Sequence, residues 1–484
     1  MVAHLDPPSR VGHQRVRQQR IIARPSTRSI IGSEQVTPGQ HSAVSKRPNT
    51  RLVGSRLTAT ARGVTYVSLL AAGGLFGLLA ATGRAHTAAG VIGVPVAAVA
   101  VRAMLRRWVQ PLLGDEFTAL LFSGFALRVL ASVPRLLGAA DALVYQREGV
   151  RLAAHFRALD FMVETGRSVP GTGSLRYLAG LVSVATGSTY VLTFLVFVVI
   201  GFVGQVFIVL ASRTALTDGQ FRLFVMLMMW CPTLAFWPSS IGKESVMLFG
   251  IGLAFLGMSQ IYLRNPRGFV ALFTGIFTTV MIRPHVAMIV ASGALGGLCA
   301  RRAVGRGKML AQIGAIALVI VGASFVASAS ATVFGLESLD GLTDVSAALD
   351  FTEARTSQDA SQFRAARIES PLDYPLGFVT VLFRPFPTEA TNLLAFVNSL
   401  EGVAFALLML AATPSLVRNN LGISRSAVLL FSVVYIAVFV FLFSAVGNFG
   451  ILSRQRAQVV PFVFLLIALG LGSYVPTGRG GRLR

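Results

Sequence analysis

The sequence predicts an all-α protein, a polytopic bundle of about 12 transmembrane helices. The chain has 484 residues, of which 54% are hydrophobic and only 13% are charged, whereas soluble domains carry about 25% charged residues. Apolar stretches close to the roughly 20 residues that cross a bilayer recur along the chain. Basic residues collect in alternate short segments between these stretches, as the positive-inside rule requires.

Two basic ends flank the predicted bundle, which covers residues 63–476. Residues 1–62 contain eleven Lys and Arg against two acidic residues, a net charge of +9. This segment is rich in Ser, Thr, Pro and Gln and has no sustained apolar period, which predicts a disordered tail. We expect the tail to face anionic lipid in the cytoplasm and to have no nucleic-acid partner. Residues 477–484 form a second basic cytoplasmic end.

Twelve apolar segments are candidate spans. The sequence Arg283-Pro284-His285 divides one apolar stretch into two of them, because neither a charge nor a proline sits easily at mid-bilayer. The candidate spans are residues 64–83, 87–104, 117–137, 189–211, 221–237, 245–263, 268–282, 284–300, 309–329, 390–413, 426–446 and 457–475.

Alternation of these spans from a cytoplasmic tail sets the predicted topology. It places both termini in the cytoplasm, together with the short basic loops at 102–107, 213–222, 264–267, 301–308 and 418–425. The opposite side receives two long loops, residues 138–188 and 330–389. Apolar residues at helical spacing over 150–164 predict an amphipathic surface helix in the first loop. Residues 175–185 are expected to form either a second such helix or a re-entrant segment. The second loop is expected to carry one or two short helices.

Two polar segments on the predicted outer side contain carboxylates. Asp141 begins the first long loop, and Tyr145 follows one turn later. Asp141 suits a general base, or a ligand of a divalent metal that bridges to a diphosphate; an acid that caps the next helix is the simpler interpretation. Lys243 and Glu244 follow a turn at a helix start, where free N–H groups favour anions. Snorkelling of Lys243 and pairing with Glu244 is the alternative.

Three arginine clusters lie on the same predicted side. Arg283 offers a planar fork that matches phosphate oxygens, and His285 beside it can transfer a proton near neutral pH. Arg384 precedes prolines that restrict the chain as it returns to the membrane. The third cluster contains Asn448, Arg454 and Arg456. The alternatives are an interfacial arginine and a core histidine at the first cluster, a stiff re-entry turn at the second and headgroup contact at the third. The shared side of the three clusters is therefore the stronger argument for a bound anion.

Several motifs resemble a known group of proteins. WPSSIGKES, IRPH, LFRPFPTEATN and GNFGILSRQRAQVVPF, within residues 110–475, resemble bacterial polytopic proteins encoded with exopolysaccharide genes. They are similar to O-antigen or exopolysaccharide polymerase-type proteins and to related membrane glycosyltransferases. A span followed by a loop with Asp141 and surface helices also resembles the opening of the GT-C glycosyltransferase fold. In that fold an acid of the first large outer loop is catalytic, which implies this role for Asp141.

The resemblance implies a membrane glycosyltransferase or polysaccharide polymerase of the bacterial inner or plasma membrane. Its donor would be a polyprenyl-phosphate or polyprenyl-diphosphate sugar, and its acceptor a glycan or a lipid-linked glycan. Asp141 or His285 would deprotonate the acceptor hydroxyl, and one or more arginines would stabilise the leaving phosphate. These arginines are Arg283, Arg384, Arg454 and Arg456. No cofactor is predicted beyond the divalent-metal alternative at Asp141.

Two other functions compete with this hypothesis. A transporter or flippase of a lipid-linked or anionic solute would need a hydrated path lined by polar groups. Mid-span charge is sparse, however, and consists of Arg128 and Glu401, which could also pair with each other. A non-catalytic scaffold of an envelope complex would not need five charged segments on one side. Interfacial chemistry is therefore the favoured hypothesis.

Overall fold

The computed structural model describes residues 50–82, 88–300, 342–356, 361–418 and 426–472. Within these ranges the chain is helical, and its only β-structure is an isolated antiparallel bridge between Gln362 and Asn448. The all-α prediction is therefore confirmed. The following predictions lie outside the described residues: the tail up to residue 49, the loop 301–308, the span 309–329, most of the loop 418–425 and the end 477–484.

The helices are α1 (Thr50–Ala81), α2 (Ala88–Met104), α3 (Asp115–Gly138), α4 (Ala140–Arg157), α5 (Thr172–Ala185), α6 (Tyr190–Ser212), α7 (Asp218–Trp230), α8 (Pro232–Phe236), α9 (Lys243–Tyr262), α10 (Arg267–Ile282), α11 (Pro284–Cys299), α12 (Leu342–Thr356), α13 (Tyr374–Phe383), α14 (Leu393–Arg418), α15 (Ala427–Phe443), α16 (Phe449–Arg456) and α17 (Val460–Leu471). A π-helical turn, Leu105–Val109, and the short helix Gln110–Leu113 extend α2 past its predicted end. At the other boundary, α1 begins at Thr50, inside the predicted tail.

Six helices among the described residues are long and apolar enough to cross a membrane, which agrees with a polytopic protein. They are α1, α2 with its extension, α3, α6, α9 and α14. The pair α16 and α17 would make a seventh span, bent by 60° at its break. Other predicted spans correspond to the shorter apolar helices α10, α11 and α15. The predicted span 221–237 is instead two short helices, α7 and α8, because Pro232 has no backbone N–H to continue α7.

Glycines bring α6, α9 and α10 into close backbone contact. A Cβ on Gly204 of α6 would collide with the carbonyl oxygen of Leu248 in α9, and one on Gly252 with the carbonyl oxygen of Gly204. Gly257 of α9 faces Gly268 of α10 in the same way. Small residues allow such approach in membranes, where packing rather than water drives helix association. This tight layer fixes the start of α9 against its neighbours.

Substitution of Gly252 by valine tests this packing. The new side chain would overlap the backbone of α6, so we expect the free energy of unfolding to fall by about 1–3 kcal/mol. The measurement is the melting temperature of the purified protein in detergent. Gly77→Val in α1 is the matched control, because nothing lies within 4 Å of a Cβ built there. Equal destabilisation by both variants would contradict the close contact.

The break between α7 and α8 accommodates both mid-span charges. Arg128 of α3 is 1% exposed and donates to the carbonyl oxygens of Met228 (3.1 Å) and Met229 (3.0 Å), which have no intrahelical donor at the end of α7. Glu401 of α14 lies on the other side of the break. It accepts from the backbone N–H of Thr233 at 2.9 Å and from the Thr233 hydroxyl. Arg128 and Glu401 therefore do not pair with each other.

The first long loop contains two helices that pack together, α4 and α5. The helix predicted at 150–164 begins ten residues earlier, at Ala140, and ends at Arg157. The chain turns away there because Leu159 adopts a left-handed backbone conformation (φ 61°). The second predicted helix, 175–185, is found within α5. The early start of α4 places Asp141 in a first helical turn directly after α3.

Candidate functional site

Glu244 is the centre of the candidate site, and the turn before α9 holds it inward. The hydroxyl of Ser245 donates to the carbonyl oxygens of Pro238 and Ser240, each at 2.8 Å. These bonds fold residues 238–242 back against the start of α9, and Glu244 lies in its first turn. The Glu244 side chain is only 1% exposed. A carboxylate buried to this extent requires cationic partners.

Arg283 supplies the first partner from the junction of α10 and α11. Pro284 starts α11 without a backbone N–H, so the two helices separate at Arg283, whose backbone is extended. The Arg283 side chain donates to Glu244 Oε1 at 3.0 Å through Nη2. Its Nη1 donates to the side-chain oxygen of Gln455 in α16. The junction therefore aims one guanidinium at two elements distant in the sequence.

Arg454 of α16 supplies the second partner and extends the network to Asp141. Its Nη2 donates to Glu244 Oε2 at 3.0 Å, and its Nε lies 2.7 Å from Oε1. Its Nη1 donates to Asp141 Oδ2 at 3.1 Å. The Asp141 side chain is 62% exposed. We name Asp141, Glu244, Arg283 and Arg454 the Glu244 cluster, in which a buried carboxylate holds two arginines and one of them reaches an exposed carboxylate.

Positive charge exceeds negative charge around this cluster. Arg135, in the last turn of α3, donates to Ser240 Oγ at 3.1 Å and stacks on Phe236 and Trp237. Arg135 and Lys243 lie within electrostatic range of Glu244, Arg283 or Arg454. The Lys243 side chain forms no ion pair or hydrogen bond within the part of the chain that the structure describes. Four cations therefore face two carboxylates, and the excess of two positive charges favours a bound anion.

Tyr145 and His285, both predicted from the sequence, lie at the edge of the Glu244 cluster. Burial, together with the negative charge of Asp141, raises the pKa of the Tyr145 hydroxyl, so it remains a hydrogen-bond donor at neutral pH. His285 lies within electrostatic range of Arg283 and Lys243, and its ring is 6.3 Å from that of Phe443. Both side chains therefore lie close enough to interact with the charges of the cluster.

Arg384 belongs to a second, neighbouring arrangement. Its guanidinium lies over two stacked rings, 4.8 Å from Phe363 and 5.1 Å from Phe449, and the rings themselves are 4.1 Å apart. Its Nε donates to both carboxylate oxygens of Glu389, at 3.0 and 3.1 Å. Partial burial opposes ionisation of Glu389, but hydrogen bonds from Arg384 and the Phe386 backbone prevail and lower its pKa. Arg384 and Glu389 therefore form a charged pair at neutral pH.

The short helix α16 joins the two arrangements. Asn448 caps it by accepting from the backbone N–H of Ile451 at 3.1 Å, and it also accepts from the hydroxyl of Ser361 at 3.1 Å. Arg454 points to the Glu244 cluster, whereas Arg456 is 1% exposed and donates to the carbonyl oxygen of Arg384. Arg454 and Arg456 thus have different partners. Arg384 is connected to the Glu244 cluster through α16 and not by its own guanidinium.

Two contributors to the site were missed by the sequence analysis. Gln455 lies between two arginines that were singled out, and it accepts from both Arg283 and Gln458. Arg135 lies six residues before Asp141 and had a detectable signal, an arginine in the last turn of a predicted outer-facing span. Gln455 lies within the motif GNFGILSRQRAQVVPF but was not singled out, and Arg135 lies in none of the motifs. The importance of both residues depends on which helices are neighbours.

The arrangement of the acidic residues bears on the divalent-metal role considered for Asp141. Among the described residues, His, Cys, Asp and Glu do not come together in any group of three that could hold one. Both carboxylates of the Glu244 cluster are engaged by Arg454. Asp141 is therefore not part of a preformed set of protein ligands among the described residues; a divalent metal there would be held by one carboxylate together with substrate phosphate.

Comparison with known proteins identified no relative of this chain. No protein-family model, no curated protein and no solved structure matches the chain. The case for a function therefore depends on the geometry of the site.

Proposed function

We propose that the protein is a membrane-embedded glycosyltransferase or polysaccharide polymerase that uses a polyprenyl-(di)phosphate-linked sugar at the extracytoplasmic face. One observation carries the proposal: Arg283 and Arg454, distant in the chain, meet on the buried carboxylate of Glu244. Arginine forks bind phosphate oxygens in two-pronged fashion. A pair of them fixed beside an exposed carboxylate, Asp141, combines an anion site with a base.

The membrane topology behind this proposal is that of about 12 spans, with both termini in the cytoplasm. The basic segment 102–107 precedes α3, whose C-terminal end borders the Glu244 cluster. Since the basic segment is cytoplasmic by the charge rule, the cluster lies at the other membrane surface. An isoprenoid phosphate has its anionic head at such a surface and its chain in the bilayer. The anionic head of such a lipid and the cationic cluster are therefore opposite in charge and are expected at the same depth in the membrane.

The contacts of Arg454 suggest how the reaction would proceed. Glu244 holds Arg454 from the buried side, and Asp141 holds only the Nη1 atom from the exposed side. An incoming donor phosphate replaces Asp141 on Nη1, which frees that carboxylate. Asp141 then accepts the proton of the acceptor hydroxyl while the hydroxyl oxygen of the acceptor attacks the anomeric carbon of the donor sugar. The bond between that carbon and the phosphate oxygen breaks, and the electron pair leaves on the phosphate, stabilised by Arg283 and Arg454.

Arg384 is the arginine that we assign to a second phosphate or to the sugar. Its guanidinium already accommodates the two oxygens of Glu389, the same geometry that a phosphate presents. The stacked rings of Phe363 and Phe449 hold the guanidinium in place. A diphosphate donor would use this arrangement in addition to the Glu244 cluster.

No observation on the described residues favours transport. A transporter would need mid-membrane polar groups free to contact solute. Arg128 and Glu401 are buried, and each is engaged by groups at the break between α7 and α8. These two charges therefore serve the fold.

Turnover in liposomes tests the proposal. The full-length protein, reconstituted with a polyprenyl-diphosphate-linked sugar and an acceptor glycan, is expected to transfer the sugar and release the polyprenyl diphosphate. Arg454→Ala should lower the rate by about 10²–10³-fold, as expected for loss of one donor to the developing negative charge. Arg222→Ala is the control, because Arg222 pairs with Glu116 at 2.6 Å, away from the cluster. Flipping of the lipid without sugar transfer would overturn the proposal in favour of a transporter.

A further inference from the structure

A groove between α1, α2 and α3 lies outside the proposed catalytic site. It encloses about 820 Å³, a volume typical of ligand pockets. Its walls are mainly apolar and include Leu69, Gly73, Val91, Val94, Pro95 and Phe122. Both α1 and α2 are candidate spans and bury only 22% and 28% of their most apolar segments within the protein. The groove therefore opens toward the lipid.

One end of the groove is cationic. Arg62, Arg102 and Arg106 line it together with one acid, Asp115. Phe76 of α1 lies against Gly90 of α2. Counted from that contact at 1.5 Å per residue, Arg62 lies about 21 Å along α1 and Arg102 about 18 Å along α2. The arginines therefore lie at about the same membrane depth, because α1 and α2 run in opposite directions.

These three arginines have no anionic partner. All are exposed, and none forms an ion pair or side-chain hydrogen bond with any residue that the structure describes. Arg106 projects from the π-helical turn Leu105–Val109, a distortion that often occurs at functional sites. Three cations and one carboxylate leave an excess of two positive charges at the mouth of an apolar groove.

This site is separate from the Glu244 cluster. Asp115, at the start of α3, borders the cationic end of the groove, whereas Arg135, near the end of α3, borders the cluster. They are twenty positions apart in one helix, which corresponds to about 30 Å, the thickness of the hydrocarbon core. The two sites therefore face opposite membrane surfaces.

We propose that the groove is a binding site for one anionic glycerophospholipid, with its phosphate on Arg62, Arg102 and Arg106. One acyl chain lies along the wall formed by Gly73, Gly74 and Val91. An amphiphile fits because the groove is charged at one end and apolar along its length. The basic N-terminal segment before α1 is a poor occupant, because residues 1–49 carry a net charge of +6, of the same sign as the arginines. Free phosphate would leave the apolar walls uncovered.

Lipid retention tests the charged end. The full-length protein is reconstituted in mixed phosphatidylglycerol and phosphatidylcholine, extracted in detergent, and its bound lipid is quantified by native mass spectrometry. Wild-type protein is expected to retain one phosphatidylglycerol. Arg102→Ala/Arg106→Ala should bind it roughly 30-fold more weakly, given the known contribution of each basic residue to anionic-lipid binding. Arg107→Ala/Arg267→Ala removes the same charge from exposed residues outside the groove and should retain the lipid.

A second variant tests the apolar wall without a change of charge. Gly74 lines the groove and has nothing within 4 Å of a Cβ built on it. Gly74→Leu should fill the acyl path and abolish retention while the melting temperature stays at the wild-type value. Three outcomes would overturn the proposal: equal lipid loss in the Arg107/Arg267 control, full retention in Gly74→Leu, or retention of polyprenyl phosphate in place of phosphatidylglycerol when both are supplied.

Discussion

Glu244→Gln is expected to destabilise the protein by about 3–5 kcal/mol, the cost of removing one partner from a buried ion pair. The substitution keeps the shape of the side chain but leaves Arg283 and Arg454 without the buried carboxylate that both contact. The melting temperature in detergent is the measurement. Sugar transfer should also be lost, because the two guanidinium groups repel each other once their shared anion is gone.

A matched substitution separates this effect from that of an ordinary ion pair. Glu116 pairs with Arg222, and both side chains retain more than a fifth of their exposure, so Glu116→Gln should cost only about 0–1 kcal/mol. The double variant Glu244→Gln/Arg283→Gln should lose less stability than the sum of the losses in the two single variants, because Glu244 and Arg283 contact each other directly. Similar melting temperatures for Glu244→Gln and Glu116→Gln would show that Glu244 does not hold the cluster.

Asp141→Asn should lower the rate of sugar transfer by about 10²–10⁴-fold, the usual contribution of a general base. The amide can still accept a hydrogen bond from Arg454 but cannot take the acceptor proton. The KM for the lipid-linked donor should not rise, because Arg454 and Arg283 remain to bind phosphate. Arg454→Ala, in contrast, should raise that KM and lower kcat. Steady-state kinetics in liposomes distinguish the two effects.

Asp160→Asn is the control for this prediction. Asp160 lies in the same predicted outer loop, its side chain is 51% exposed, and it pairs with His155 at 3.1 Å. Its substitution should leave kcat and KM unchanged. If Asp141→Asn retained activity within a few-fold of wild type, the base would have to be another residue, and His285 would be the next to test.

Some helix boundaries were predictable because they depend on local chemistry, whereas others were not, such as the start of α4 ten residues before its predicted position. The division of residues 268–300 at Arg283-Pro284 follows from a charge and a proline, and the structure has α10 and α11 on either side of it. A helix was also found at residues 175–185, within α5. The break at Pro232 was overlooked, since the apolar run 221–237 continues through it, although the proline itself was a visible signal.

The sequence by itself determined that the chain is helical, apolar enough for a membrane, and marked by arginines at a few helix junctions. Only the tertiary structure decided the partners of those arginines. Arg454 and Arg456 are two residues apart, yet one contacts Glu244 and the other the carbonyl oxygen of Arg384. The physical reason is that hydropathy records the environment along one helix, whereas an ion pair depends on which other helix lies opposite and at what height.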